Sequence, residues 1–263
     1  MTAPAPQLGR RPVESQGRTV LAAAQTLADA APTARWAWIQ RTVMRLAANL
    51  ASHRRGLRMP WPLPPDGPDH GADEAADQAA AVLHRLDLPA WDMPHVSALH
   101  EVLLEHTLVD GRVVRSPDST RKAVGVWYTP PEVAAAMCAL SLGQALRQVD
   151  EANPDAGPWA VLLVRAHDPA CGAGVFLVAA ARWLATQFAD RHGRVTAEEV
   201  LPGIITTCLT GTDIDPVAVD LAKTALWWEI DGLLPITRLD HVVTVADTLA
   251  PPDRTENDRE LLP

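Results

Sequence analysis

Twice between residues 161 and 230 the sequence passes from a short apolar stretch into a turn rich in Asp, Gly and Pro, and then into a helix-length segment. The first passage is Val161-Leu162-Leu163-Val164, then Asp168-Pro169-Ala170-Cys171-Gly172-Ala173-Gly174, then a helix expected over 173–189. A further helix over 196–207 opens with Thr-Ala-Glu-Glu, the pattern of a capping box. The second passage is a strand expected over 208–212, the turn Asp213-Ile214-Asp215, and a helix over 216–230 with Pro216 in its first turn, where a missing N–H does no harm. A third strand is expected over 241–245. Short apolar strands alternating with helices imply an α/β fold with a parallel sheet, because parallel strands need crossover connections. Val161–Val164, following Gly157-Pro158, is expected to be the first of those strands.

Composition narrows the class. The chain has 263 residues, of which 48% are hydrophobic and 21% charged, too apolar for wholesale disorder. Three cysteines with no Cys-x-x-Cys pair exclude a disulfide scaffold, argue against a structural zinc site and fit a reducing, cytoplasmic setting. No apolar run is long enough for a membrane span, and the N-terminus lacks the pattern of a secretory signal. The net charge of −9 excludes a uniformly basic nucleic-acid coat. Residues 1–58, however, hold nine Arg against two acids, Glu14 and Asp29.

The chain divides into a basic helical segment (1–58), a Pro-rich linker (59–71), a second helical region (72–124) and an α/β domain (125–263). Trp36, Ile39, Val43, Leu46 and Leu50 recur at helical spacing. Helices are also expected over 72–86 and 95–108, with Asp110-Gly111 as a turn. Arg35, Arg41, Arg45, Arg54, Arg55 and Arg58, with Arg121 and Lys122 further on, are candidates for phosphate contacts. The competing reading, favoured here, is a packing domain rich in Trp36, Trp38, Trp61 and Trp91.

The chemistry-bearing residues lie at the expected strand tips. Small residues at 170–174 let a ligand approach the backbone, and the following helix start suits polar ligand atoms. The dinucleotide fingerprint is broken, since Leu177 stands where its third Gly belongs. A carboxylate ending the second strand suits two ribose hydroxyls; Asp213 is the candidate, with Asp215 as the cap of the next helix. Ile214 is positioned for an adenine ring, and Asp247 for its amine. His167 is expected merely to end a strand, and Cys171 to be a small buried loop residue. Upstream, Trp127-Tyr128-Thr129-Pro130-Pro131-Glu132-Val133 runs into a helix for which Thr129 is the expected N-cap.

These four segments, WYTPPEV, DPACGAGVFL, GTDIDP and VADTL, resemble in order and wording those of the N-6 adenine-specific DNA methyltransferases of restriction–modification and phage-defence systems. The resemblance covers about residues 120–250. It implies a class I, Rossmann-like S-adenosylmethionine-dependent methyltransferase sheet of seven strands, acting on double-stranded DNA. It further implies that Tyr128, Thr129 and Pro130 close over the methionine end of the cofactor, and that Asp168, Ala170, Gly172 and Gly174 form the cofactor loop. Asp213 would then hold the ribose, Ile214 would lie against the adenine, and Asp247 would bond its amine. No metal is implied.

One family signature is missing. Asn/Asp-Pro-Pro-aromatic, which holds the flipped adenine, does not follow the third strand; Pro251-Pro252-Asp253 lacks both the preceding Asn or Asp and the aromatic, and Asn153-Pro154-Asp155 lacks the aromatic. The expectation is therefore a cofactor-binding part without catalytic residues, inactive alone, whose incomplete sheet leaves the Val161–Val164 strand as an edge. The base-holding half would come from a second polypeptide. The alternative is a non-catalytic S-adenosylmethionine-binding or partner-binding module; a nucleotide-binding oxidoreductase ranks third.

Overall fold

The computed structural model describes residues 10–58, 61–86, 92–117 and 129–250, with side chains from residue 16 onward. Tyr128, Arg121, Lys122, Trp91 and Pro251-Pro252-Asp253 lie outside the described residues. Four helices come first: α1 (Arg10–Ala30), α2 (Trp36–Arg54), α3 (Ala72–Leu83) and α4 (Met93–Leu104). A hairpin follows, β1 (His106–Val109) and β2 (Arg112–Arg115), and then α5 (Pro131–Ala152). The α/β part contains β3 (Ala166–Asp168), α6 (Val175–His192), α7 (Ala197–Cys208), β4 (Leu209–Asp213), α8 (Pro216–Glu229) and β5 (Val243–Val245). Among the described residues no helix is long and apolar enough to cross a membrane.

The sheet is parallel and ordered β3-β4-β5, with Ala166 opposite Leu209 and Asp213 opposite Val245. The chain is thus α/β, as its alternation of elements required. Two expectations fail. Residues 157–163 form a 3-10 helix, and the first strand is Ala166–Asp168. Pro158 presets a helical φ in the first turn, and a four-residue apolar run fits a buried helical turn as well as a strand. Ala160 and Val161 are buried while Leu163 points outward. Among the described residues β3 therefore takes the edge expected of Val161–Val164, with β5 at the opposite edge. Residues 106–108, expected as the end of a helix, belong to β1 instead. Asp110 and Gly111 take φ of +47° and +74°, matching a two-residue type I′ loop between β1 and β2.

The burial alternates across the sheet. Leu209, Gly211 and Val243 are buried, whereas His167, Thr210 and Thr244 are exposed. In-order parallel strands joined by right-handed crossovers carry their helices on one face, and among the described residues the other face is polar and uncovered.

Helix α8 links the two parts. Every residue from Val217 to Trp228 is buried except Lys223, so it reads as a helix covered on all sides. It packs on α6 and the sheet, and against α2 and α4. Its polar positions find partners in the N-terminal part. Asp220 takes Arg41 and Arg45, Thr224 accepts from Trp61 Nε1 at 3.1 Å, and Trp228 Nε1 donates to Ser52 Oγ at 2.8 Å.

The Pro-rich stretch is packed rather than free. Arg45 donates to the Pro62 carbonyl at 2.7 Å and Trp38 Nε1 to that of Pro64 at 3.2 Å. Proline carbonyls in such a segment enter no helix or ladder and stay available to donors on α2.

Candidate functional site

Three strand tips converge at one end of the sheet. Asp168 ends β3, Asp213 ends β4, and Asp247 follows β5 by two residues. In open parallel sheets this carboxyl end is where ligands bind.

The loop from β3 to α6 is held from both sides. Asp168 Oδ1 accepts the Ala170 N–H at 3.2 Å, which turns the chain on itself. Cys171 N donates to the Thr212 carbonyl at 2.9 Å, and Gly172 N to Asp213 Oδ2 at 2.8 Å. The hydroxyls of Thr212 and Thr248 both donate to the Pro169 carbonyl, at 3.2 and 3.0 Å. The two loops expected to share a ligand are thereby joined through Asp213.

Gly172 and Gly174 have distinct roles. Gly174 is the N-cap of α6 at φ +85°, and a Cβ there would stand 3.1 Å from Cα and Cβ of Ala222 on α8. It permits close helix packing. Gly172 has φ +52°, and a Cβ there would meet nothing within 4 Å. It faces open space, as a backbone approached by a ligand must.

Asp168 Oδ2 is buried and has no hydrogen-bond partner among the described residues. Burial, reinforced by the charge of nearby Asp213, pushes the Asp168 carboxyl above the usual carboxylate range, although the Ala170 N–H and His167 act against the rise. A buried, unpaired carboxylate oxygen beside a second acid is unfavourable unless a cation or donor reaches it. Cys171 is buried under the same acids, and its thiol is pushed up to about 12, so it is inert as a nucleophile. His167 contacts the Thr210 hydroxyl at 3.0 Å on the open face of the sheet.

Asp213 carries a task that the sequence reading missed. Its Oδ1 accepts the Asp215 N–H at 2.9 Å while its Oδ2 takes Gly172. Two of about four lone-pair sites on a carboxylate remain for a ligand. Asp215 is the cap of α8, as expected, with Oδ1 on Val217 N at 2.8 Å. Its Oδ2 faces His100 Nε2 of α4 at 3.1 Å. Neither His100 nor Thr248 carried a sequence signal, since both act through distant partners.

Ile214 stands 57% exposed beside this turn, available to a flat ring. Asp247 is exposed and uses Oδ1 to accept Leu249 N at 3.0 Å, leaving Oδ2 free of that turn. Thr129 does not cap α5. The N-cap is Pro130, without a side-chain bond, and the Pro130 carbonyl accepts from Val133 and Ala134. Proline fixes the entry angle by itself, which removes the need for a hydroxyl. Helix α5 still passes near the loop, since Cys138 Sγ donates to the Phe176 carbonyl at 3.6 Å and the Asp168 charge helps raise its thiol, after burial.

Of the arginines considered for phosphate, Arg41 and Arg45 are spent on Asp220, and Arg55 stacks over Trp228 at 4.9 Å. Arg41 and Arg45 thus serve packing between α2 and α8, while Arg35, Arg54, Arg55 and Arg58 stand exposed. Asn153 ends α5 with its side chain bonded to the Val149 carbonyl at 2.9 Å, so Asn153-Pro154-Asp155 is a helix stop. No family model, no curated protein and no solved structure matches the chain.

Proposed function

We propose that this chain is the cofactor-binding part of an S-adenosylmethionine-dependent methyltransferase acting on adenine in double-stranded DNA. The reading rests on the four segments WYTPPEV, DPACGAGVFL, GTDIDP and VADTL. One observation carries it: Asp168 Oδ2, buried and unpaired, lies in the field of Asp213, whose own oxygens knit the loops of β3 and β4 together. A ligand with both a cationic group and a ribose suits that arrangement, so the residues fit this cofactor.

S-adenosylmethionine supplies an electrophilic sulfonium methyl group. Asp168 accepts hydrogen bonds from a ligand ammonium, which removes the cost of its buried charge. Asp213 offers its two remaining lone-pair sites to vicinal hydroxyls. Ile214 gives an apolar face to a purine, and the free Asp247 oxygen accepts from an exocyclic amine. The open space beside the Gly172 Cα leaves room for the ligand backbone. These contacts position a methyl donor, and positioning is the main contribution a protein makes to in-line methyl transfer.

The sequence contains no Asn/Asp-Pro-Pro-aromatic segment to hold the acceptor base. We assign that role to a second polypeptide. Among the described residues the flank of β3 is open and the His167–Thr210–Thr244 face is bare, which supports this, since parallel sheets are normally covered on both faces.

The test is titration calorimetry of the 263-residue chain with S-adenosylmethionine and with a nicotinamide dinucleotide, on wild type and Asp168→Asn. The expected result is selective binding of S-adenosylmethionine, weakened about tenfold or more in the variant, the scale of one lost charge-assisted bond. Absence of binding, preference for the dinucleotide, or equal affinity in Asp168→Asn overturns the reading.

A further inference from the structure

The ligand turn between β4 and α8 is reached from the N-terminal helices by an unbroken series of polar contacts. His100 on α4 is buried, with a side chain only 7% exposed, and its Nε2 stands 3.1 Å from Asp215 Oδ2. The Asp215 N–H donates to Asp213 Oδ1 at 2.9 Å, and Asp213 Oδ2 accepts Gly172 N at 2.8 Å. The series runs from α4, through the cap of α8, to the loop after β3. Each member has a defined atom on each side.

We propose that His100 is a positioning residue for the strand-tip site, through which the N-terminal helices set the affinity for a nucleoside ligand; this rests on the functional reading above. Asp215 needs two things to stand where it does. Its Oδ1 is held by the Val217 N–H of the helix it caps. Its Oδ2 lies 3.1 Å from His100 Nε2, a close side-chain contact rather than an aligned hydrogen bond, and that buried nitrogen makes no hydrogen bond among the described residues. With one oxygen bonded and the other packed against the imidazole, Asp215 is kept in place, and its N–H orients the Asp213 carboxylate. Asp213 then presents its remaining lone pairs in one orientation and keeps Gly172 in place. Without His100, Asp215 keeps its cap but loses the contact that stops it rotating, and the slack passes to Asp213.

The charges around this contact agree with the assignment. Arg41, held by Asp220, also lies in the field of Asp215, so the carboxylate has a guanidinium of α2 in its field and the His100 ring of α4 beside it. Asp215 stays below the usual carboxylate range even though burial alone would raise it. A capping Asp on an isolated helix needs no such partners; here the N-terminal part supplies them.

The experiment compares wild type, His100→Leu, His100→Gln, Asp215→Asn and the double variant His100→Leu/Asp215→Asn. Two measurements are made on each. Amide hydrogen exchange reports Gly172, Asp215 and Val217 against core amides of α6, and calorimetry reports S-adenosylmethionine affinity. In His100→Leu, exchange at Gly172 and Asp215 is expected to rise about tenfold relative to α6, with a similar loss of affinity. His100→Gln, which keeps a donor without the imidazole, is expected to restore both to within about threefold. The double variant is expected to be no worse than Asp215→Asn, because the two residues act in one series. Equal loosening of α6 and the turn, failure of Gln to rescue, or additive effects in the double variant overturns the proposal. If wild type binds no S-adenosylmethionine, the functional reading falls, and the exchange data still decide whether His100 orders the turn.

Discussion

Arg41 on α2 and Asp220 on α8, 179 positions apart, meet in two hydrogen bonds of 2.7 and 3.1 Å. Arg45 joins the same carboxylate at 2.7 and 3.3 Å. One buried Asp thus pairs with two guanidinium groups, one of which is only 8% exposed. Removing the acid leaves both cations without their counter-ion. Asp220→Ala is expected to destabilise the chain by about 3–5 kcal/mol, the usual cost of stranding a buried charge. Urea denaturation measures it, and a loss under about 1 kcal/mol would mean that the pair is solvated.

Asp168 makes the opposite prediction. Its folded-state pKa lies above the unfolded value, because burial disfavours the charge. The folded chain therefore holds this proton more tightly than the unfolded chain does, and stability falls as pH rises through the folded value. Asp168→Asn is expected to be more stable than wild type at pH 7, and the gap should close below the unfolded value near about pH 4. Thermal melts across that range read it. A variant less stable than wild type at pH 7 contradicts the assignment.

Asp215 titrates the other way. Burial would raise its carboxyl, but His100 and the N–H groups of Val217 and Ala218 outweigh burial and hold it low. Its contribution is complete above the unfolded value and is lost as pH falls through the folded one. Asp215→Ala also removes the cap of α8, at about 1 kcal/mol. The variant should be less stable than wild type at pH 7, and the part of the gap due to charge should vanish in acid. Chemical denaturation at several pH values checks it.

Two glycines in one loop should respond differently. Gly174→Ala forces a Cβ to 3.1 Å from the α8 backbone at φ +85°. The left-handed backbone alone costs about 1–2 kcal/mol, and the contact adds to it. Gly172→Ala meets no atom within 4 Å, so its cost is expected to stop at the backbone contribution. Its effect should appear in ligand affinity, because the new methyl enters the space above the loop. Melting and calorimetry on both variants separate the two roles; equal losses of stability would refute the distinction.

The sequence by itself determined what depends on neighbours along the chain. The capping box of Thr196 and Glu199 is present as read, with the two reciprocal bonds at 3.2 and 2.7 Å. Pro131 and Pro216 open their helices, and Asp110-Gly111 makes its turn. The order of strands and helices, and with it a parallel sheet whose acids share one end, followed from the alternation of elements. Such features were legible because each is closed by contacts within a few residues, or by pattern periods that local sequence carries. Tertiary structure decided the rest. It made residues 157–163 a helical turn, because a short apolar run is stable in whichever shape buries it. It gave Arg41 and Arg45 to Asp220 rather than to solvent. It set Asp213 against Gly172, 41 positions away, and brought His100 to Asp215. A charge or a hydrogen-bonding group carries no mark of its partner in a linear sequence; only packing, which removes water and leaves one group within reach, makes the choice.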